Sequence, residues 1–273
     1  MKVAVIIQAR MSSTRLPGKV LSTIGAQPML ALVVERSRRS KTVSDVAVAT
    51  TRDSSDDPIV EYCQERGYPC YRGSLLDVLD RYYQAAKWLD ADVIVRLTAD
   101  CPLIDPTVID ATVNAFLGHV PPGSQQSISN VPSYHSPDFP FDFAANRLPP
   151  PWRRTYPIGL DTEVCSFSAL ERAWYEAVQP HQREHVMPYL YDDVGLHFDQ
   201  PSRFRVLLIH HHPDYGSLRW TVDTPQDLAL LRRIYAHFSD RDDFSWQEVL
   251  ALFQQQPELA ELNASVPHKT LGE

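Results

Sequence analysis

The sequence contains few cysteines and no long hydrophobic run. No Cys-x-x-Cys pair, the spacing of many zinc and redox sites, occurs among its four cysteines, Cys63, Cys70, Cys101 and Cys165. No apolar stretch approaches the ~20 residues that a membrane-spanning helix needs. Met1 and Lys2 lead directly into an apolar segment. We therefore expect neither a membrane protein nor a signal peptide.

Excess positive charge and the common glycine-rich phosphate loops are also missing. The 26 Lys and Arg residues stand against 34 Asp and Glu, for a formal net charge of -8, which argues against a nucleic-acid-binding surface. No Gly-x-Gly-x-x-Gly follows the first apolar segment. A P-loop is excluded because Val20 follows Gly18-Lys19 and because Ser13 stands where its first glycine belongs.

A basic loop rich in hydroxyl groups follows the first predicted strand. Val3–Ile7 is typical of a buried β-strand, and an open parallel sheet binds ligands beyond the carboxyl ends of its strands. A turn of small residues can also direct backbone N–H groups at an anion. The loop interleaves three cations with three hydroxyl residues: Arg10, Arg15 and Lys19 with Ser12, Ser13 and Thr14. This pattern predicts phosphate binding, whereas a single cation would indicate only a solvated loop.

Strand-like and helix-like patterns alternate over the first two thirds of the chain, which predicts an α/β fold with a mainly parallel sheet. The predicted strands are Val3–Ile7, Val46–Thr50, Val93–Leu97, Phe204–Ile209 and Arg219–Val222, with Ser127–Val131 as a further candidate. The predicted helices are Pro28–Ser40, Pro58–Arg66, Leu75–Leu89, Pro106–Leu117, Phe167–Val178, His181–Leu190, Pro225–His237 and Ser245–Gln255. Between Pro121 and Pro157 prolines are dense, which favours loops and edge segments.

Two aspartates follow apolar segments. Asp100 comes after Val93–Leu97, and Asp223 comes after Arg219–Val222. Either alone is equally well explained as a turn or helix cap. Together they suggest a Mg²⁺ site, since this ion is held by one or two carboxylates with substrate phosphates and water.

The segment from Gln8 to Leu21 resembles the signature loop of cytidylyltransferases that make CMP-activated sugar acids. It is most similar to the branch named for spore-coat polysaccharide biosynthesis (SpsF-like), and it is related to CMP-Kdo synthetase and acylneuraminate cytidylyltransferase, which usually have proline where Gln8 stands. The resemblance continues in order through 71–74, 77–82, 98–105, 159–164, 183–186 and 219–225.

The resemblance implies one three-layer, Rossmann-like nucleotidyltransferase domain of the nucleotide-diphospho-sugar transferase type over residues 1–273. It also implies an inserted arm at about 121–205 for dimerisation or acceptor binding, a homodimer, a cytoplasmic location and reduced cysteines. The implied reaction is the Mg²⁺-dependent transfer of CMP from CTP to a sugar or sugar-acid acceptor with release of pyrophosphate. The pathway would be synthesis of a surface polysaccharide or other glycan.

The sequence patterns and the resemblance together predict roles for individual residues. Arg10, Lys19 and Asp100 are the predicted catalytic residues, the two cations acting on the triphosphate, and Asp100 and Asp223 are the predicted Mg²⁺ ligands. Nucleotide binding is assigned to Gln8, Ala9, Arg10, Ser12, Ser13, Arg15, Lys19, Thr50, Arg72 and Thr98. Acceptor binding is assigned to Asp161, Glu163, Arg183 and His185.

Several alternatives stay open at this level. Arg15 is equally well explained by a structural salt bridge, Asp161 and Glu163 by a polar edge strand at a subunit contact, and 183–185 by packing. Many relatives have Asp where Ile158 stands, so acceptor identity is open. The enzyme could use another triphosphate or a phosphorylated or phosphonate acceptor. A glycosyltransferase of related fold or a binding module without catalysis are the other classes.

Overall fold

The computed structural model describes residues 1–120, 125–129, 138–198 and 201–267. Its strands are β1 Val3–Gln8, β2 Thr23–Ile24, β3 Gln27–Pro28, β4 Asp45–Thr51, β5 Cys70–Gly73, β6 Val93–Thr98, β7 Gln126–Ile128, β8 Phe143–Ala145, β9 Glu163–Ser166 and β10 Val206–Ile209. Within these ranges, eight strands form one sheet in the order β5-β4-β1-β6-β9-β8-β10-β7, and β2 and β3 form a hairpin. Only β7 and β9 run antiparallel to the other six strands. The prediction of a mainly parallel α/β sheet is confirmed.

Helices cover both faces of this sheet, because alternate residues of its strands are apolar and point to opposite faces. The helices are α1 Met29–Arg38, α2 Asp57–Arg66, α3 Val78–Leu89, α4 Pro106–Phe116, α5 Phe167–Glu176, α6 Pro180–His185, α7 Pro188–Tyr191, α8 Pro225–His237 and α9 Trp246–Gln255. From β1, Val3, Val5 and Ile7 pack in a cluster with α1, α2 and α4. Ala4 and Ile6 pack in another cluster with α3, α5 and α7. The fold therefore has three layers.

A third apolar cluster anchors the C-terminal part of the chain. Trp220 and Val222 are fully buried there against α8 and α9. Among the described residues, no helix is both long and apolar enough to cross a membrane.

Two predicted elements are wrong. Arg219–Val222 is not a strand: it has one isolated bridge, between Arg219 and Ile158, and buries its apolar side chains against helices instead. The predicted helix His181–Leu190 is divided into α6 and α7. Pro188 lacks an N–H for the helical hydrogen-bond pattern, and Val186 has φ 74, which a right-handed helix does not allow.

Short strands account for most of what the sequence did not predict. β5, β8 and β9 have only four, three and four residues. β8 and β9 lie inside the central sheet, although they fall within the segment predicted as an arm. The predicted strand at 127–131 is present as β7, and its residues 130–131 lie outside the described residues.

Candidate active site

The basic loop after β1 closes on itself through backbone hydrogen bonds. The carbonyl of Met11 accepts hydrogen bonds from Ser13 and Gly18, both at 2.9 Å. Gly18 has φ 70, a left-handed conformation that glycine adopts without strain. The buried carboxylate of Asp56 accepts the N–H of Met11 at 2.7 Å and so attaches the loop to the end of β4.

The loop forms one wall of a cavity of about 300 Å³ at the carboxyl ends of β1 and β6. Its lining includes most of the residues predicted to bind nucleotide: Gln8, Ala9, Arg10, Ser12, Ser13, Arg15, Lys19 and Thr98, with Asp100 and Asp223. The structure therefore brings together side chains from both ends of the chain, as the strand-end rule predicts.

Lys19 connects the two predicted metal ligands. Its ammonium donates to Asp100 Oδ2 at 2.8 Å, to Asp223 Oδ1 at 2.9 Å and to the carbonyl of Val222 at 2.7 Å. Its side chain is only 9 % exposed. Burial lowers the pKa of Lys19, but the two carboxylates outweigh it and raise that pKa above the usual value.

Asp223 is surrounded by cations. Its Oδ2 lies 3.0 Å from Arg15 Nη2 and 2.8 Å from Arg219 Nη2, while its Oδ1 accepts from Lys19. Burial would raise the pKa of Asp223, but these cations, Lys19 above all, hold it at about 2. The alternative that Asp223 caps α8 is not supported, because Thr224 is the N-cap residue.

The donor set fits a divalent cation. Asp100 and Asp223 place carboxylate oxygens within 2.9 Å of one nitrogen, and Thr98 Oγ1 donates to the other oxygen of Asp100 at 2.6 Å. These two carboxylates would hold a Mg²⁺ and leave its other ligands to phosphates and water, as is usual for this ion. Both carboxylates are occupied by Lys19 in the described structure.

Two arginines that line the larger cavity form no ion pair with a described carboxylate. Within the described residues, the guanidinium of Arg10 has no hydrogen bond or ion pair. Arg81, on α3, is 1 % exposed and makes no ion pair in that part of the chain; Nη1 donates to the carbonyl of Ser74 at 2.9 Å and Nε has no partner. Burial and, to a lesser extent, repulsion from Arg10 lower the pKa of Arg81.

A second cavity of about 180 Å³ adjoins the first and shares four lining residues with it, Thr98, Asp100, His185 and Asp223. Asp161 and Glu163, predicted to bind the acceptor, both line it. Glu163 forms a buried ion pair with Arg96 of β6. Burial lowers the pKa of His185, so this ring is neutral at neutral pH.

Arg147, at the end of β8, also lines the second cavity. Asp161 binds Arg154 through both oxygens. Arg147 lies farther away, with its Nε 3.7 Å from Asp161 Oδ2. This buried nitrogen has no hydrogen-bond partner among the described residues. The single carboxylate of Asp161 therefore faces two arginine cations, Arg154 and Arg147.

Gly159 sets the backbone before Asp161. It has φ 107, and a Cβ there would lie 2.7 Å from the carbonyl carbon of Trp220. Only glycine allows this close approach, which holds the 158–161 segment against the chain that carries Asp223.

Three predicted site residues do not line either cavity. Arg72 donates to the carbonyls of Thr51 and Asp53 and pairs with Asp57. Thr50 is fully buried. Arg183 forms a bidentate ion pair with Asp77 and donates to the carbonyl of Trp174, which fastens α6 to the start of α3.

Sequence reasoning assigned no role to Arg81, Arg96 or Arg147. Arg81 belongs to 77–82, one of the segments that carry the resemblance, and this was the available signal. Arg96 lies within a predicted strand and Arg147 within a proline-rich stretch without periodicity. No pattern in the sequence alone predicts a role in the site for Arg96 or Arg147.

Comparisons with known proteins agree with this geometry. The sequence profile described as "Cytidylyltransferase" matches residues 4–214. Over 264 residues the chain is 31 % identical to the spore coat polysaccharide biosynthesis protein SpsF of Bacillus subtilis, covering 93 % of this chain and 95 % of SpsF. It is 40 % identical over 119 residues to the 3-deoxy-manno-octulosonate cytidylyltransferase of Anaeromyxobacter dehalogenans, covering 42 % of this chain and 48 % of that enzyme.

A solved structure has the same fold over nearly all of this chain. The cytidylyltransferase from Leptospira borgpetersenii superposes with a TM-score of 0.77 at 31 % sequence identity, covering 98 % of this chain and 100 % of that protein. Together with the loop after β1 and the paired cavities, this match assigns the fold and the enzyme class. The chain belongs to the cytidylyltransferase family and is a nucleotidyltransferase.

Proposed function

We propose that the protein transfers CMP from CTP to a sugar or sugar-acid acceptor, with Mg²⁺ and with release of pyrophosphate, in the synthesis of a surface polysaccharide or other glycan. The observation that carries this proposal is the position of Asp100 and Asp223, which stand at the boundary shared by the two cavities. A nucleotide in the larger cavity and an acceptor in the smaller one would meet at these carboxylates.

The chemistry is one in-line displacement. An acceptor oxygen forms a bond to the α-phosphorus, the bond from that phosphorus to the pyrophosphate oxygen breaks, and the acceptor hydroxyl releases its proton to solvent. The protein contributes positioning and charge stabilisation. Arg10 and Arg81 line the larger cavity without an ion pair to any described carboxylate, so both are available to hold phosphate oxygens. Asp100 and Asp223 would hold Mg²⁺, which would neutralise phosphate charge and activate the attacking oxygen.

Arg81 tests the nucleotide assignment. We expect Arg81→Met to raise the KM for CTP by about 10- to 100-fold, because a charge-assisted hydrogen bond contributes ~1.5–3 kcal/mol. Initial-rate kinetics at saturating acceptor measure it. Arg232→Met, which removes an exposed arginine on α8, is the matched control. An unchanged KM for CTP in Arg81→Met would remove Arg81 from the nucleotide site.

The smaller cavity favours an acidic acceptor. Its volume of about 180 Å³ suits one small sugar rather than a chain. Arg96 is neutralised by Glu163, and Asp161 is already bound by Arg154. The charge of Arg147 is left for a carboxylate or phosphate of the acceptor. The relative from Anaeromyxobacter is named for a sugar acid, which supports the same class.

Arg147 therefore gives a second prediction. Arg147→Ala should raise the KM for an acidic acceptor by about 10- to 100-fold through the loss of a charge-assisted hydrogen bond, with little change in the KM for CTP. Arg153→Ala, a nearby exposed arginine paired with Asp214, should leave both constants unchanged. Equal increases in both KM values for Arg147→Ala would indicate a structural role instead.

One assay tests the proposed function itself. Pyrophosphate release is measured with each of the four triphosphates, Mg²⁺ and a panel of 2-keto sugar acids and phosphorylated sugars, with mass detection of nucleotide adducts. We expect a CMP adduct and pyrophosphate with CTP and an acidic sugar. Equal use of all four triphosphates would contradict CTP specificity, and consumption of a nucleotide sugar without pyrophosphate would indicate a glycosyltransferase. The homodimer and the cytoplasmic location stay predictions.

A further inference from the structure

Lys19 cannot hold a phosphate in the arrangement that the structure shows. An ammonium group has three donor positions and no acceptor. All three are used by the protein, on Asp100, Asp223 and the carbonyl of Val222, at distances of 2.7 to 2.9 Å. A phosphate contact therefore requires Lys19 to leave at least one of these partners.

The same carboxylate oxygens are the ones that a divalent cation needs. Lys19 acts there as a built-in counterion, since two carboxylates brought this close would otherwise repel each other. An ammonium and a divalent cation on the same pair of carboxylates would repel each other in turn. Occupation by Lys19 and occupation by the metal are therefore competing states.

The loop provides a place for the displaced cation. Lys19 lines the larger cavity beside Arg10, Ser12 and Ser13, so its ammonium stands at the edge of the proposed polyphosphate site. Arg15 of the same loop is also held by Asp223, at 3.0 Å. Two of the loop's three cations are thus attached to the metal carboxylates.

We propose that Lys19 is an exchangeable counterion that couples metal binding to nucleotide binding. Without nucleotide it occupies Asp100 and Asp223 and keeps their affinity for a divalent cation low. A polyphosphate offers Lys19 another partner, releases the carboxylates to the metal, and so favours the joint binding of metal and nucleotide. This inference rests on the proposed function for the identity of the nucleotide, but the competition between Lys19 and metal does not require turnover.

Binding of Mn²⁺ to the nucleotide-free protein tests the exchange. Free Mn²⁺ is followed by electron paramagnetic resonance during titration of the wild type and of Lys19→Met. We expect Lys19→Met to bind one Mn²⁺ at least about tenfold more tightly, within the usual range of coupling between sites. Adding Asp100→Asn to Lys19→Met should abolish the gain, which locates the ion.

Two controls keep the result interpretable. Lys2→Met removes the same charge from a half-exposed pair with Asp45 and should leave Mn²⁺ affinity unchanged. Lys19→Gln is measured if Lys19→Met does not fold, as judged by circular dichroism. Equal Mn²⁺ affinities for the wild type and the folded Lys19 variant would overturn the exchange. An enzyme that releases no pyrophosphate from CTP would overturn the proposed function, and the Mn²⁺ comparison would still stand.

Discussion

Asp100→Asn is expected to lower kcat for pyrophosphate release from CTP by about 10³-fold, or roughly 4 kcal/mol of transition-state stabilisation. The substitution keeps the size of the side chain and removes its charge. It takes away one of the two carboxylates proposed to hold Mg²⁺, and it leaves the buried Lys19 with one carboxylate partner in place of two. Coupled pyrophosphate assays at saturating CTP and acceptor measure the effect.

The matched control for this variant is Asp45→Asn, at the start of β4, which removes a carboxylate from a half-exposed pair with Lys2. Its kcat should equal that of the wild type. Thermal denaturation shows whether either variant has lost its fold. Wild-type turnover in a folded Asp100→Asn protein would exclude Asp100 from the chemistry.

Lys19→Met should reduce kcat/KM for CTP by about 10²- to 10³-fold, the size of effect seen when one preorganised electrostatic contact to a transition state is removed. Two consequences act together. The polyphosphate loses a cation of the loop, and Asp100 and Asp223 lose the group that holds them together. Lys19→Arg should restore little, because a planar guanidinium does not reproduce the three contacts of a compact ammonium.

Steady-state kinetics measure kcat/KM for CTP in the wild type, in Lys19→Met and in the control variant Lys2→Met. If Lys19→Met turned over CTP at the wild-type rate, Lys19 would be structural only. Tighter Mn²⁺ binding with a large loss of turnover in the same variant would separate its two roles, counterion and phosphate ligand.

The part of the site that the sequence predicts is the part set by strand ends. Arg10 follows β1 and Asp100 follows β6, two parallel strands paired side by side. Their carboxyl ends meet at one edge, so the convergence follows from local patterns alone. Asp223 follows no strand. Its position near Asp100 was predicted, but the reason is a hydrogen bond from the N–H of Val222 to the carbonyl of Asp100 at 2.8 Å.

The sequence does not predict sheet order, and this explains why Arg72 does not line either cavity. Arg72 lies on β5, one of the two edge strands of the described sheet, separated from β1 by β4. Its guanidinium reaches the backbone after β4 instead of the cavity. The central position of β8 and β9 was equally hidden, because strands of three or four residues give no clear periodicity, and β8 also lies in the proline-rich stretch.

The sequence also does not predict which individual arginines outside the loop after β1 line the cavities. Arg81 and Arg147 each have a buried Nε without a hydrogen-bond partner, and neither donates a hydrogen bond to a carboxylate in the described part of the chain. That property exists only once the chain is folded. For Lys19 the loop pattern predicts a phosphate ligand. In the structure all three donor positions of its ammonium are already used by protein acceptors, which the sequence does not predict.

A crystal structure of the protein with CTP and Mn²⁺ would show whether triphosphate and metal meet at Asp100 and Asp223, since anomalous scattering locates the metal. We expect the triphosphate in the larger cavity between the loop after β1 and Asp100, with Mn²⁺ on Asp100 and Asp223 and the ammonium of Lys19 turned to a phosphate oxygen. A triphosphate bound outside that cavity, or a metal away from both aspartates, would contradict it.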